Sequence, residues 1–353
     1  MGIVRILFLA DTHLGFDYPF RPRVERRRRG DDFFLNFTRA LEPARRGEVD
    51  AVVHGGDILF RSKVPARLVD MAFAPLRDIA DLGVKVFLVP GNHERSRIPF
   101  GLLAVHRNIH IFSQPSTFFL KSRGTTVALS GFPYWRHNVR RHFSCLLEET
   151  GWRQVQHNIH SRLLCVHHCF EGAKVGPVNY TFRNGEDVIK TSSIPAEFTA
   201  VLSGHIHRFQ ILTSDLKSLP LKVPIFYPGS IERTSFAEKD EPKGYLILEI
   251  DPDSKDSILS GWHFHELPTR PMIKVVIDIA GLDPYKLRNL LKTSLGRIDP
   301  HSVVRIEIRG KLEEKYSPVL RAAEIRSICP REMNVSQDFP VKQPISLYRE
   351  HLL

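Results

Sequence analysis

The sequence predicts an α/β catalytic domain followed by a small α+β module. Three observations predict it. Short, wholly apolar runs of strand length recur as far as Tyr227. Helix-period segments separate the earliest of them. A second, shorter set of strand and helix patterns begins after a proline-bracketed break.

The runs are Ile3–Ala10, Ala51–His54, Val84–Val89, Thr126–Gly131, Leu163–His167, Ala200–Ser203 and Ile225–Tyr227. They are rich in β-branched and aromatic residues, as strands buried on both faces are. Between the first two, Asp31–Arg46 carries Phe34, Phe37 and Leu41 at helical spacing. Between the next two, Val64–Leu82 opens with Pro65 in its first turn and repeats Leu68, Ala72, Leu76 and Ile79. The order β-α-β-α-β reads as α/β, and closer strands make the second half more β-rich. Pro268 and Pro271 bracket the break at Leu267–Pro271. Beyond it Met272–Ala280 alternates as a strand, Asp283-Pro284 starts a helix to about Leu295, Val303–Arg309 alternates, and Ser317–Ile328 is a second helix. The expected organisation is a catalytic domain at 1–268, a small module at 269–340 and a tail at 341–353.

The chain has 353 residues, with 50 Lys+Arg against 39 Asp+Glu, a formal net charge of +11. At 42% hydrophobic and 25% charged it is not a disordered chain. No apolar run approaches the ~20 residues of a membrane span, and Ile6–Ala10 is too short for a signal-peptide core. No membrane partner is expected. Four scattered Cys make no disulfide framework, so a reducing, cytoplasmic compartment is expected. The positive excess has two addresses. Residues 21–29 hold six Arg and one Glu, and the segment after Pro268 holds 15 basic and 10 acidic residues. Both are places from which a polyanion could be held.

Five apolar runs end in metal-binding residue types: Asp11-Thr12-His13, Gly55-Gly56-Asp57, Gly91-Asn92-His93-Glu94, His167-His168 and Gly204-His205-Ile206-His207. In an α/β sheet, ligands gather outside the carboxyl ends of the strands, so the five ends are expected to converge. Carboxylate, amide oxygen and imidazole together suit Mn²⁺, with Fe²⁺ or Zn²⁺ as alternatives, and the lack of thiolates argues against a structural zinc. Asp57, a lone carboxylate beside glycines, is suited to bridging two cations. Such a pair stabilises the attacking and leaving oxygens of an in-line phosphoryl displacement. As the first residue past its strand, His167 is preferred over His168 as a ligand. His168 is left to a supporting or backbone contact. Cys165 and Cys169 read as small buried residues.

In that order the motifs resemble the calcineurin-like metallophosphoesterase superfamily, over roughly Ile3 to Ile250. The resemblance implies a two-sheet sandwich flanked by helices. It also implies that Asp11, His13, Asp57 and His207 hold one divalent metal, and that Asp57, Asn92, His167 and His205 hold a second. His93 then touches the scissile phosphate and assists the leaving group, a task suited to imidazole, whose ordinary pKa is about 6.5. A finer resemblance is to the SbcD-like DNA repair nucleases, relatives of the meiotic-recombination-eleven nuclease. It rests on Asp11-Thr12-His13-Leu14-Gly15, on Gly204-His205-Ile206-His207-Arg208 followed by Tyr227-Pro228-Gly229-Ser230-Ile231-Glu232-Arg233, and on Ser235-Phe236-Ala237-Glu238 leading to Lys243-Gly244-Tyr245. The C-terminal module stands where that family has its DNA-capping domain. Where nuclease relatives often have a polar residue, commonly His, three after the bridging Asp, this chain has Phe60 with Arg61 next.

The implied activity is a DNA exo- or endonuclease, with a metal-activated water attacking the phosphodiester. The implied partners are DNA ends, a second copy of the chain as a homodimer, and an SbcC-type coiled-coil ATPase. The chain ends at Leu353, however, leaving little room for the helices that dock such an ATPase. Candidate substrate contacts are Arg26, Arg27, Arg28 and Arg29, with Arg61 and Arg208; Lys63, Arg95 and Arg97 also lie just past metal motifs. Tyr134-Trp135-Arg136-His137 reads either as a base-stacking segment or as core aromatics. Two other functional readings stay open: a phosphoesterase for small esters or cyclic nucleotides, and a DNA-end-binding scaffold with little catalysis.

Overall fold

The computed structural model describes residues 2–17, 28–94, 106–154, 158–254 and 258–338. The chain divides into a larger unit that holds Arg29–Thr269 and a smaller one that holds the residues from Arg270.

Two six-stranded mixed sheets build the larger unit. The first runs Leu259–Glu266, Gly244–Ile250, Val4–Leu9, Ala51–His54, Lys85–Leu88, Ile109–Ile111. Its last four strands are parallel, and Val4–Leu9 meets Gly244–Ile250 antiparallel. The second runs Gln210–Ser214, Pro220–Tyr227, Ala200–Ser203, Ser161–Val166, Thr125–Gly131, Ser116–Ser122, parallel through its four central strands. All seven apolar runs are strands of these sheets, and the expected two-sheet α/β sandwich is what forms.

The absence of polar residues from the central strands follows from the layering. Alternate side chains face opposite ways, and here both ways are core. Ile6, Phe8, Val53 and Phe87 of the first sheet pack against Leu129, Leu163, Leu202 and Phe226 of the second. Leu7, Leu9, Val52 and Val86 point instead to Phe33, Phe37, Ala72, Phe73 and Leu76 of the covering helices. Leu164, Val166, Val201 and Ile225 pack beneath Phe143, Leu146 and Leu147 of the helix Val139–Glu149.

Three helix expectations are corrected. Asp31–Arg46 is two helices, Arg29–Ala40 and Glu42–Arg45. Pro43 in the second has no N–H with which to continue the first. The first buries Phe33, Phe37 and Ala40, while Phe34 is only partly buried. Pro65 is not in the first turn of its helix but caps Ala66–Asp81 from outside. Ser317–Ile328 breaks into Ser317–Leu320 and Ala322–Ile328, because Arg321 is extended (φ −63°, ψ 140°).

The smaller unit pairs Met272–Asp278, Val303–Arg309 and Asn334–Asp338 in one parallel sheet. Helix Pro284–Gly296 is capped by Asp283, whose carboxylate accepts the Lys286 N–H at 2.8 Å, with Pro284 in its first turn. Leu287, Leu291 and Leu295 of that helix meet Ile277, Val304 and Ile306 in a core of the unit's own. Parallel pairing and the last strand were not visible in the sequence pattern. Among the described residues, no helix is long and apolar enough to cross a membrane.

Candidate metal centre

Five strands, three mutually parallel in the first sheet and two in the second, release their chains at one edge of the sandwich. The loop after Val4–Leu9 stays zipped to the loop after Ala51–His54. Asp11 donates its N–H to Gly56 O (2.9 Å), His13 to Asp57 O (3.0 Å) and Leu14 to Ile58 O (2.7 Å). The sheets nearly touch here: a Cβ on Gly204 would stand 2.3 Å from Gly55 O, and one on Gly56 would stand 2.3 Å from His167 Nδ1.

Four of the predicted residues carry left-handed backbone: Asp11 (φ 51°), His13 (φ 43°), Asp57 (φ 54°) and His205 (φ 82°). Each costs about 1–2 kcal/mol outside glycine. The zipped loops hold the first three, and the His205 N–H is held by Asp11 Oδ2 at 3.0 Å. Such strain gathers where side chains must be aimed rather than packed.

All seven predicted metal donors converge. His13 Nε2 lies 2.9 Å from His207 Nε2. Asn92 Oδ1 lies 3.1 Å from both His167 Nε2 and His205 Nδ1. Asp57 Oδ2 lies 3.4 Å from His167 Nε2. Asp11, His13 and His207 form one group with every donor atom within 4.8 Å of the others; Asp11, Asp57 and His167 form a second. Two donors at right angles about an ion, each about 2.1 Å from it, stand about 3.0 Å apart. The observed separations are therefore those of atoms facing a common cation, and the cluster is suitable for a dinuclear centre.

Hydrogen bonds behind the ligands choose the tautomers. His167 Nδ1–H donates to Gly55 O at 2.7 Å, leaving Nε2 to face Asn92 and Asp57. His207 Nδ1–H donates to Glu238 Oε1 at 3.2 Å, leaving Nε2 to face His13. This is how imidazole ligands are usually oriented. Glu238 is held in turn by the wholly buried Lys243 (2.7 Å) and by the Thr234 hydroxyl (2.5 Å). His13 Nδ1 is buried with no hydrogen-bond partner among the described residues.

The electrostatics favour a cation. Burial pushes Asp11 up to about 6. Burial also works against charge on Asp57, but His167, His13 and His93 hold it below the usual carboxylate range. Burial opposes a proton on His167, yet Asp57 and Asp11 raise it to about 9. Burial drives His205 down to about 3 and His13 well below its ordinary value, so both keep lone pairs to offer. The site thus holds carboxylate charge that draws a proton onto His167, beside His13 and His205, which refuse one; a divalent ion would answer both the charge and the free lone pairs.

His93 sits at the rim, with its side chain 32% exposed. Its Nδ1–H donates to Phe60 O at 2.6 Å, and its Nε2 lies 3.8 Å from Asp57 Oδ2. With His13 and Asp57 it forms a third group within ligand distance. Phe60 supplies that carbonyl, while its ring stands 5.9 Å from His13 and 5.7 Å from His93. His168 is a supporting residue here: its Nε2 accepts the Trp135 N–H at 3.0 Å and its ring stacks on Tyr134. Cys165 and Cys169 are buried, and all four cysteines are free thiols.

The basic candidates divide. Arg61 is exposed, its guanidinium 5.7 Å from the Phe60 ring centroid at the rim. Arg208 spends its guanidinium on Glu241 (2.8 Å), Asn179 (2.6 Å) and Gly176 O (2.7 Å). Arg29 is only 11% exposed, bonded to Arg233 O, 3.8 Å from Glu232, and set over the Phe16 ring. Arg28 is half-buried and Lys63 exposed. Arg26, Arg27, Arg95 and Arg97, with the tail 341–353, lie outside the described residues.

Sequence reasoning gave no role to three residues that organise the site. Buried Glu94 accepts N–H bonds from Leu59 (2.7 Å), Gly91 (2.9 Å) and Asp57 (3.1 Å), tying two metal loops together. His54 bonds Thr12 Oγ1 and the Gly56 N–H, a part hinted at by a polar residue ending an apolar strand. Glu238 lies 31 residues from His207, and no local pattern pairs them.

The calcineurin-like phosphoesterase family matches residues 4–209. Three archaeal relatives are each described as a DNA double-strand break repair protein Mre11. That of Haloferax volcanii is 29% identical, over 88% of this chain and 62% of its own length. That of Methanosarcina acetivorans is 27% identical, over 89% and 47%. That of Aeropyrum pernix is 24% identical, over 90% and 72%. The chain thus spans about half to three-fifths of the length of the first two.

Proposed function

The chain belongs to the calcineurin-like phosphoesterase family, and from that premise we propose that it is a dinuclear-metal phosphodiesterase acting on DNA. The reaction is exo- or endonucleolytic cleavage in double-strand break repair, in a reducing cytoplasm. The observation that carries the reading is the meeting of seven donors in one cluster, with Asp57 grouped both with His13 and with Asp11 and His167. Asp11, His13, Asp57 and His207 would hold one cation, and Asp57, Asn92, His167 and His205 would hold the other. Mn²⁺ is the proposed metal, because oxygen and imidazole donors without thiolate suit it. When bound, such a pair would supply charge neutralisation at the attacking and leaving oxygens of an in-line displacement.

The chain's own residues do the rest. Asp11 fixes the His205 backbone, and Glu238 and Gly55 fix which imidazole nitrogens face inward. Because its Nδ1–H is committed to Phe60 O, His93 holds its transferable proton at Nε2, on the side of Asp57. It gives that proton to the departing sugar oxygen. Arg61 at the rim contacts the phosphate backbone. The relatives' repair role supports DNA as substrate. A homodimer and an SbcC-type ATPase partner belong to the same proposal.

The test is Mn²⁺-dependent degradation of single- and double-stranded DNA, run beside hydrolysis of bis-p-nitrophenyl phosphate. Cleavage of both supports the nuclease. Hydrolysis of the small ester with DNA left intact moves the reading to a small-phosphoester enzyme. Metal-dependent DNA binding with no turnover of either substrate leaves the scaffold.

A further inference from the structure

The segment Tyr134-Trp135-Arg136-His137 leaves the strand Thr125–Gly131 and passes beside the metal cluster. Two hydrogen bonds fix it there, and a third closes the segment on itself. The Tyr134 N–H donates to Pro90 O at 2.8 Å, immediately before the Gly91-Asn92-His93 loop. The Trp135 N–H donates to His168 Nε2 at 3.0 Å, next to His167. The Trp135 indole N–H donates to His137 O at 2.9 Å. The Tyr134 ring stacks on His168 (4.9 Å, 18°), with its centroid 5.8 Å from His205 and 6.1 Å from His167. It therefore borders the half of the cluster built from His167 and His205. Phe60 and His93 border the half that contains His13.

The core explanation of this aromatic pair does not hold for Trp135, which is 39% exposed and followed by exposed Arg136 and His137. The Trp135 ring stands 5.9 Å from the His142 ring of the helix Val139–Glu149, and the part kept in water loses the benefit of burial. Its single polar group is already satisfied within the loop. What it has left to offer is an aromatic surface, and the partner for that is a flat π-system.

Resting on the nuclease reading above, we propose that Tyr134 and Trp135 form a stacking shelf for the nucleobase of the nucleotide adjoining the scissile phosphate, on the His167–His205 side. Every base has a π-face, so such a shelf admits any sequence. It separates nucleic-acid phosphodiesters from phosphodiesters without a planar neighbour. Exposed Arg136, next in the chain, would offer its charge to the same nucleotide's phosphate. The shelf is already oriented before substrate arrives, because its backbone is bonded to the loops that carry Asn92 and His167.

The experiment compares a single-stranded oligonucleotide bearing every base with the same oligonucleotide made abasic around the cleavage position. Wild type, Trp135→Ala and Trp135→Phe are assayed with Mn²⁺. Wild type should cleave the base-bearing strand about ten-fold better in kcat/KM, the scale of base–aromatic stacking on alanine substitution. W135A should bring that ratio towards one, and W135F should restore most of it. Equal kcat/KM on the two strands in wild type, or a W135A loss shared equally by both, overturns the shelf. Should wild type cleave neither strand but hydrolyse bis-p-nitrophenyl phosphate, the nuclease reading fails, and the shelf is judged by fluorescence. The chain has three Trp, and W135F leaves Trp152 and Trp262. Quenching by the base-bearing strand that is absent from W135F keeps the shelf; quenching that is identical in both proteins, or absent from both, removes it.

Discussion

Replacing Gly91 by alanine tests the claim that close backbone approach builds the metal centre. Gly91 lies outside the left-handed region, so a methyl group adds no conformational strain there. What it adds is a collision. The new Cβ would stand 2.2 Å from Asp57 Oδ1 and 2.4 Å from the Asp57 amide nitrogen. Neither atom can simply turn away, because the Asp57 and Gly91 N–H groups are bonded to the same oxygen of buried Glu94. To reach even 3.0 Å, Oδ1 must retreat by about 0.8 Å, whereas metal–donor distances tolerate about ±0.2 Å. Asp57 is the proposed bridge, so both cations should suffer together. Losing an outer partner of a ligand costs 10- to 100-fold in metal affinity; displacing the bridge itself should cost at least about 100-fold. Calorimetric titration with Mn²⁺ and metal content after dialysis measure this directly. Thermal unfolding gives a second readout: saturating metal should raise the wild-type Tm and leave the variant's almost unmoved. Gly296→Ala makes the same chemical change at a helix end with nothing within 4 Å. It should be neutral or stabilising by up to about 1 kcal/mol. A Gly91→Ala protein that keeps two ions at wild-type affinity would refute the reasoning.

Three further outcomes follow from the same geometry. His93→Ala should retain metal, since His93 lies outside both proposed ligand sets, while kcat on a phosphodiester falls about 10²- to 10⁴-fold; calorimetry showing that the ions are lost would remove its proton-transfer role. Glu238→Gln should weaken Mn²⁺ binding 10- to 100-fold through the freed His207 ring, with Glu238→Asp closer to wild type; unchanged affinity in both would show that the carboxylate does not orient the ligand. Burial works against the Asp50 charge, but bonds from the Arg5 N–H, the Ser122 hydroxyl and the Arg123 guanidinium hold its pKa below the ordinary value. That depressed pKa stabilises the fold above the unfolded value of about 3.9, and the gain fades as pH falls towards the folded one. Asp50→Asn should therefore cost about 1.5–3 kcal/mol at pH 7, with the gap to wild type closing below about pH 4 in urea unfolding curves. A gap that stays constant with pH would count against the ionised carboxylate.

The strands and the donors were legible because their causes are local. A strand buried on both faces must be apolar throughout, so Val4–Leu9 and Ala200–Ser203 announce themselves, and the polar residues that end such runs stand out as Asp11, Asp57, His167 and His205. The Asp283-Pro284 cap reads equally well, because a cap bonds an N–H three residues on. Helix ends set by tertiary fit did not read: Arg321 breaks a segment whose pattern is continuous. Nor did residues that act across the chain. Glu94 ties its own loop to Leu59 and Asp57, 35 and 37 residues away, and Glu238 aims His207 from a turn that has no period to betray it. Local propensity and burial on both faces were enough to write down the ligand types and the strand ends that present them. Which ring nitrogen faces the cation, which arginines are already spent and which tryptophan stays in water depend on contacts between segments far apart in sequence, and only the packing of the two sheets decided them.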